Sequence, residues 1–386
     1  MEADKEKTRY FLTMPFPSLS RLHESISTPA LLIDAARMDK NLRGMQAAAD
    51  ARHVALRPHI KTHKAPVLAR RQRELGARGL TVAKLSEAEL FAGEGFDDIF
   101  MANQLTQKAK APMLNKVRQR ARLILGIDHP RQVTLLEEML SSPGPPLEVR
   151  IEIDSGFHRC GIEPESDLLV DVARLIRKSP ALTLEGVFTH AGQAYGARSP
   201  REIKDIAARE AASVTAAAAR LKKIGIEIAT ISVGSTPTAK EVIRHKGVTE
   251  VRPGNYIFYD RIQHALGSCR AEQLALYVLA TVIAQPGPAQ IVCDAGSKAL
   301  NVETGAHGMH LVKGYGQPMN VKGTLTRLSE EHGIIGLERP EEIAIGSPLL
   351  IAPNHACVVA NLYDFYHLAD GESVQIVPIS ARGKSR

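Results

Sequence analysis

Cysteine is scarce in this sequence, and long apolar runs do not occur in it. Only four of the 386 residues are cysteines, and none forms a C-x-x-C pair, which excludes a disulfide framework. Reduced thiols are the simplest interpretation, so we expect a cytoplasmic protein. No run approaches the roughly 18 apolar residues of a membrane span. The charged start, MEADKEKTRYFLTMPFPS, lacks the apolar core of a signal peptide, and we therefore expect no membrane partner.

Charge of either sign is also in only small excess. The 49 basic and 42 acidic residues give a net charge of +7, which is too diffuse to require nucleic acid. Basic stretches such as KAPVLARRQREL have helical spacing, and a solvated helix face explains them better than a nucleic-acid surface. With 44% hydrophobic residues, the composition is that of a globular protein, and the length predicts two or three domains.

From about residue 50, short apolar runs of strand-like composition alternate with helical segments. The eight predicted strands cover residues 53–60, 79–85, 98–103, 122–128, 147–154, 184–190, 229–234 and 250–258. Eight strands that are each followed by a helix predict an α/β fold, a (β/α)₈ barrel. A doubly wound open sheet is the alternative.

The pattern changes after about residue 265. Strand-like runs separated by Gly and Pro turns, with little helix between them, predict a separate and mainly antiparallel β domain. We therefore expect a barrel at residues 28–262 and a β domain at 265–386, with residues 1–27 as a possible attachment to the latter. The segment TPALLID at 28–34 fits a strand of either domain.

Polar residues follow the predicted barrel strands, at the end where barrel active sites lie. Lys61 follows the first strand in RPHIKTHK. It fits either a solvated basic turn or an amine that forms a Schiff base with a carbonyl. SVGSTPT (232–238) and RPGNYIF (252–258) follow the last two strands, where Gly, Ser and Thr amides can bind phosphate. Together these segments indicate a phosphate-bearing cofactor attached to a lysine.

Taken in order, the motifs resemble those of the D-serine dehydratase and D-threonine aldolase family, pyridoxal-phosphate enzymes of the alanine-racemase-like fold. The resemblance spans residues 27 to 370, through RPHIKTHK, the arginine of GFHRCG, THAGQAYG, SVGSTPT, VRPGNYIFYD, DAGSKAL, EEHG and PNHACVVANLYD. It implies that Lys61 forms the Schiff base with the cofactor. The other implied contacts are Arg159 at O3′, His190 on the pyridine ring, Tyr195 at the ring edge, and Ser235, Thr236, Gly254 and Asn255 at the phosphate. Without the resemblance, His190 and Tyr195 fit ordinary core packing.

His355 and Cys357 form an H-x-C pattern in a strand-like run, which predicts that both side chains point to one face. An imidazole and a thiolate suit Zn²⁺ and leave coordination positions open for water and a substrate hydroxyl. The pattern alone favours a buried cysteine beside a surface histidine. The resemblance favours a metal, Zn²⁺ in a dehydratase and Mn²⁺ or Mg²⁺ in an aldolase. Lys298 and His332 are further candidates for the same cleft.

Two reactions of a D-β-hydroxy amino acid are compatible with such a site. Elimination of water and ammonia needs Lys61 to remove the α proton and a metal to activate the hydroxyl, whereas retro-aldol cleavage needs a base at that hydroxyl. The aldolases of the family tend to have Asp at the position of Cys357 and His at that of Ala194, so both residues of this sequence favour elimination. The segment NLYD after the metal pair is aldolase-like and favours the other reaction.

We therefore expect a lyase of the D-serine/D-threonine dehydratase type. D-threonine aldolase and a racemase are the catalytic alternatives. A non-catalytic pyridoxal-phosphate carrier is a further alternative, although the additional β domain and its H-x-C pair argue against it. The resemblance also implies a homodimer.

Overall fold

The computed structural model describes Phe16 and residues 19–140, 144–371 and 373–386, and it divides into two compact units. The first comprises residues 44–254 and 383–386, and the second comprises the described residues up to Arg43 together with Asn255–Arg382. The predicted boundaries at 28, 262 and 265 therefore differ from those observed. One reason is that strand β1 (Ala30–Asp34) pairs within the second unit, and another is that Ser86 donates its N–H to Arg386 O at 2.9 Å.

Eight parallel strands form the sheet of the first unit. They are β2 (Ala55–Leu56), β3 (Leu80–Val82), β4 (Asp98–Gln104), β5 (Arg122–Ile127), β6 (Leu147–Glu152), β7 (Leu182–Phe188), β8 (Thr230–Val233) and β9 (Glu250–Val251). Each strand from β3 onward pairs with the next, and β9 pairs with β2. A parallel bridge from His59 to Thr81 joins the end of β2 to β3, so the sheet closes. The prediction of a (β/α)₈ barrel is confirmed, and all eight predicted strands are present.

Helices follow most of the barrel strands. The α-helices of the described residues are α1 (Leu19–Ser25), α2 (Ala35–Asp50), α3 (Pro66–Glu74), α4 (Leu85–Gly93), α5 (Ala111–Arg118), α6 (Pro130–Met139), α7 (Asp167–Lys178), α8 (Pro200–Lys223), α9 (Ala239–Val242), α10 (Arg261–Ala265), α11 (Ser297–Leu300) and α12 (Ala356–Ala360). The alanine-rich α8 is the longest of them, and the Ser199 hydroxyl caps it by accepting the Glu202 N–H. In the part of the chain that the structure describes, no helix has the length and apolar character needed to cross a membrane.

The second unit contains a nine-stranded, mainly antiparallel sheet. Besides β1, its strands are β10 (Leu276–Gly287), β11 (Gln290–Cys293), β12 (Gly316–Pro318), β13 (Gly323–Leu328), β14 (Gly333–Leu337), β15 (Pro348–Pro353), β16 (Phe365–Asp370) and β17 (Ser373–Pro378). Strand β1 runs antiparallel to β10 and parallel to β16, so the segment 28–34 belongs to this sheet. Helix α1 also lies here, with the His23 ring 2.8 Å from Thr281 Oγ1. Of the predicted attachment 1–27, residues 1–15 and 17–18 lie outside the described residues.

Charged side chains occupy the interior of the barrel, where barrels of this class usually carry branched apolar residues. The Glu250 carboxylate lies 2.7 Å from Arg57 and 2.5 Å from Arg150, and all three side chains are buried. Arg57 also pairs with Asp98 at 2.8 Å, and Arg150 pairs with Glu185 at 2.6 Å. Burial opposes the charge of Glu250, but the two guanidinium groups outweigh it and lower the pKa of this carboxyl. The interior therefore contains a buried ion network beside its apolar side chains.

Replacing Glu250 with Gln should lower the free energy of unfolding by about 3–5 kcal/mol, because two buried guanidinium groups lose their carboxylate. Urea denaturation of Glu250→Gln and of the exposed control Glu165→Gln measures this difference. Since the pKa of Glu250 is lower in the folded state, its contribution to stability is present above the ordinary value of 4.5 and declines as the pH falls below it. Equal stability of both variants would contradict the assigned role of the network.

Candidate cofactor and metal sites

Lys61 lies at the carboxyl end of β2, in a single 3-10 turn over Ile60–Thr62. The turn begins after His59, whose Nδ1 accepts the Lys61 N–H at 3.5 Å. Burial, and then the neighbouring charges of Lys61, Arg252 and His190, lower the pKa of His59 well below its ordinary value. His59 is therefore a neutral imidazole, and the predicted residues Lys61 and His190 share one electrostatic environment at this end of the barrel.

The loops after β6 and β7 carry Arg159, His190 and Tyr195, and one aromatic ring joins these loops. The Phe157 ring meets the His190 ring edge-to-face, with centroids 6.0 Å apart. The guanidinium of Arg159 lies 5.2 Å from the centroid of the same Phe157 ring. In the turn that carries Tyr195, a Cβ on Gly192 would overlap Phe157. The structure therefore brings these loops into one packed assembly.

Two glycines allow the loops after β8, β9 and β2 to approach one another closely. A Cβ on Gly254 would lie 2.7 Å from the His59 carbonyl oxygen and 2.9 Å from Thr62 Oγ1. Gly234 has a φ of +108°, and a Cβ there would lie 2.7 Å from Val251 Cγ2. A larger residue at either position would displace the loop, so both glycines are required by the local backbone.

A buried glutamate on α8 organises the 232–238 loop. Glu210 Oε1 accepts the Gly234 N–H at 2.7 Å, so this amide is not available to a phosphate, contrary to the expectation for the glycine of this segment. Burial raises the pKa of Glu210, and the Gly234 N–H opposes this shift. Ser235 and Thr236 are buried in the same loop, and Thr238 Oγ1 lies 3.1 Å from Ser235 Oγ. Ser235 and Thr236 therefore stay the candidates for phosphate contacts.

The Asn255 side chain contacts two residues of the second unit, Asp260 and Cys357. Its Nδ2 donates to Asp260 Oδ2 at 2.6 Å and lies 3.7 Å from Cys357 Sγ. The side-chain amide of Asn255 therefore links Asp260 to the sulfur of Cys357. Burial raises the pKa of Asp260, and the neighbouring charge of His355 opposes this shift.

The predicted strand around His355 and Cys357 is wrong. Strand β15 ends at Pro353, His355 is the N-cap of α12, and Cys357 lies in the first turn of that helix. The chain turns because the Asn354 side chain donates to two loop carbonyls, at 2.9 and 2.8 Å. The side chains of His355 and Cys357 still contact each other. Burial lowers the pKa of the His355 imidazole, but the interactions with Cys357 and Glu303 outweigh burial and raise it.

The donor set fits a zinc ion. His355 Nδ1 lies 2.6 Å from Glu303 Oε2, and metal-binding histidines generally contact a carboxylate through the ring nitrogen that does not bind the metal. His355 Nε2 and Cys357 Sγ would then be the ligands. The other two candidates lie on the exposed surface, where Lys298 pairs with Glu330 and Glu331 and His332 is open to solvent.

A second group of possible ligands lies in the barrel unit. Oxygen and sulfur atoms of Asp128, Glu152 and Cys160 are within 4.8 Å of one another. Gln104 Nε2 donates to Glu152 at 2.6 Å. Burial raises the pKa of Glu152, and Gln104 and the charge of Arg159 oppose this shift. Because the charge of Arg159 acts on Glu152, we interpret these carboxylates as electrostatic support for Arg159.

Sequence reasoning missed several supporting residues. His59 stands inside the RPHIKTHK motif, and Asp260 ends VRPGNYIFYD, so both were within reach of the motif analysis. Glu210 falls on the apolar face of α8, among Ile203, Ala207 and other buried residues, and a charged residue on such a face is a usable signal. We find no local sequence signal for Glu303.

The comparisons with known proteins agree with this geometry. Residues 33–261 match the family model described as alanine racemase, N-terminal domain, and residues 275–369 match that of a putative serine dehydratase domain. The chain belongs to the alanine-racemase-like family. Membership identifies pyridoxal 5′-phosphate as its cofactor.

Relatives of known activity cover almost the whole chain. A D-threo-3-hydroxyaspartate dehydratase of Delftia sp. (strain HT23) is 36% identical over 367 residues, which are 91% of this chain and 96% of the relative. A D-threonine aldolase of Arthrobacter sp. is 33% identical over 366 residues, 94% of each chain. A solved cysteine-to-alanine mutant of D-threo-3-hydroxyaspartate dehydratase in the metal-free form has a TM-score of 0.86 at 35% identity, covering 92% of this chain and 98% of that one.

Replacing Gly254 with Ala should weaken the binding of pyridoxal phosphate about tenfold or more, because the new methyl group would displace the loop from His59 and Thr62. Titration of the cofactor-free protein with pyridoxal phosphate gives the dissociation constant. Gly44→Ala is the matched control, since a Cβ there meets nothing within 4 Å. An unchanged dissociation constant for Gly254→Ala would remove this loop from the cofactor site.

Proposed function

We propose that the protein is a pyridoxal-phosphate- and metal-dependent lyase that eliminates water from a D-β-hydroxy amino acid. Hydrolysis of the released enamine then takes up one water molecule and gives a keto acid and ammonia. The observation that carries this proposal is the His355–Cys357 pair, with Glu303 on the imidazole at 2.6 Å. An imidazole and a thiolate suit Zn²⁺ and leave positions open for a substrate hydroxyl. We propose that the chain is a homodimer in the cytoplasm.

Residues at the barrel end account for cofactor binding and proton transfer. Pyridoxal phosphate, when attached to Lys61, supplies an electron sink for a substrate carbanion. We assign to Lys61 Nζ the removal of the Cα proton, beside the neutral imidazole of His59. Ser235, Thr236, Gly254 and the Asn255 backbone bind the phosphate.

The remaining predicted residues orient the cofactor ring. His190 and Tyr195 contact the ring, and Arg159 lies near its O3′ oxygen. The Phe157 ring supports this arrangement, because it packs on both His190 and Arg159. Glu152, which interacts electrostatically with Arg159, supports the charge of that guanidinium.

Metal chemistry belongs to the second unit. A zinc ion on His355 and Cys357 would act as a Lewis acid for the β-hydroxyl of the substrate. Glu303 holds the His355 ring in the orientation that a ligand needs, and the Asn255 amide supports the Cys357 sulfur. These contacts are the usual supporting shell of a protein metal site.

The residue before Tyr195 favours elimination over retro-aldol cleavage. A retro-aldol reaction needs a base at the β-hydroxyl, and Ala194 is buried and carries no titratable group. D-threonine aldolase stays the second candidate, because the Arthrobacter relative with that name is 33% identical over 94% of the chain. One product assay distinguishes the two reactions.

Incubation with D-serine, D-threonine and D-threo-3-hydroxyaspartate, in the presence of pyridoxal phosphate and Zn²⁺, should release a keto acid and ammonia in equal amounts. Lys61→Ala should lose both turnover and the visible absorbance of the bound cofactor. Glycine and acetaldehyde from D-threonine would instead establish the aldolase. Interconversion of enantiomers would indicate a racemase, and cofactor binding without turnover would indicate a carrier.

Replacing Cys357 with Ala should lower zinc affinity by about 100-fold or more and abolish turnover, because one of two protein ligands is lost. The visible absorbance of the cofactor should persist, since Lys61 is unchanged. Zinc affinity is measured by competition with a chelator. Cys293→Ala, which removes a buried thiol on β11, should retain the metal. Full activity of Cys357→Ala would contradict the metal role of the thiolate.

A further inference from the structure

A buried carboxylate in the second unit joins two segments that carry different parts of the proposed site. Asp260 is 2% exposed. Its Oδ2 accepts the Asn255 Nδ2 at 2.6 Å and the Ala356 N–H at 2.8 Å. Asn255 follows Gly254 in the phosphate-binding segment, and Ala356 stands between the two proposed metal ligands. One oxygen atom therefore holds both segments.

The same network reaches the sulfur of the metal pair. Asn255 Nδ2, oriented by Asp260, lies 3.7 Å from Cys357 Sγ, within range of an N–H···S hydrogen bond. Asp260 thus acts on the metal pair by two routes, through the first N–H of α12 and through the Asn255 amide. A ligand orientation supported in this way is what metal sites require.

Further contacts fix α10 to the turn before His355. Ile262 donates its N–H to the Asn354 carbonyl at 3.2 Å, and the Arg261 guanidinium donates to Asn354 Oδ1 at 2.5 Å. Asn354 is itself 1% exposed. Asp260, at the start of α10, is therefore held in place relative to the metal turn from both sides.

Helix capping alone does not account for this carboxylate. Asp260 Oδ1 caps α10 by accepting the Gln263 N–H at 2.9 Å, a task that Ser or Asn performs about equally well. Only a carboxylate can cap with one oxygen and accept from two further donors with the other. The role of Oδ2 is therefore separate from the cap.

We propose that Asp260 is a positioning residue that couples zinc binding at His355 and Cys357 to pyridoxal-phosphate binding at the 254–255 backbone. A bound phosphate fixes Asn255, and with it the donor to Cys357; a bound zinc ion fixes Cys357, and with it Asn255. By linkage, each ligand raises the affinity of the other by the same factor. This inference rests on the proposed function, since it concerns the same cofactor and metal.

The test compares the zinc dissociation constant of the full-length protein with and without bound pyridoxal phosphate. In the wild type the cofactor should lower this constant about fivefold or more. The coupling ratio is the zinc dissociation constant without the cofactor divided by that with it. Asp260→Asn keeps an oxygen that can cap α10, but its amide nitrogen cannot accept the hydrogen bonds that Oδ2 accepts. We therefore expect the coupling ratio to fall to about one and zinc affinity to fall about 10–100-fold. Ser166→Ala, which removes the cap of α7 in the other unit, is the control and should keep the wild-type ratio.

Each outcome has a defined meaning. The coupling is overturned if the wild type binds both ligands but has a coupling ratio of one. It is also overturned if Asp260→Asn keeps the coupling ratio of the wild type. A wild type that binds no zinc or no pyridoxal phosphate overturns the proposed function instead. If circular dichroism shows that Asp260→Asn does not fold, the same measurement is made on Asn255→Ala, which keeps the hydrogen bond between Asp260 and Ala356. A coupling ratio of about one in Asn255→Ala supports the coupling. A wild-type coupling ratio in this variant overturns it.

Discussion

The Glu250 carboxylate, clamped between Arg57 and Arg150, is the interaction on which the barrel depends. It connects Arg57, the residue directly after β2, with β6 and β9, and these three strands are not consecutive in the chain. Apolar side chains would fill the same space, but their contacts are not directional. Charge-assisted hydrogen bonds are directional and therefore fix how the strands are positioned relative to one another. Lys61 follows the first of these strands and Gly254 the last. This ion cluster therefore fixes the strands from which the segments carrying Lys61 and Gly254 emerge.

The order of the barrel strands could be predicted because each strand is a short apolar run followed by a helical segment. The ion cluster could not be predicted, because Arg57 and Glu250 are 193 residues apart and local periodicity does not indicate which residues pair across a barrel. The sheet to which β1 belongs could not be predicted for the same reason. Its ALLID sequence is apolar enough for either unit, and only its pairing with β10 and β16 decides between them.

The candidate residues of the site could be proposed from the sequence, but most of the side chains that contact them could not. The position of Lys61 after a strand and the ligand chemistry of His355 and Cys357 indicate candidates, and the family resemblance is what favours their functional roles. The spacing of that pair fits a strand face as well as a capped first helical turn, so the local structure was predicted wrongly. Glu210 and Glu303 act from 24 and 52 residues away, through contacts that only tertiary structure creates.

The contact between Phe157 and Gly192 constrains how this enzyme can change through evolution. The two residues lie on different loops, yet a side chain at 192 would occupy the volume of the ring at 157. A substitution at 192 therefore requires that the Phe157 ring shifts or that residue 157 becomes smaller, and either change alters the ring that packs on His190. Variation at these two positions should therefore arise by paired replacements, in which residue 157 changes first.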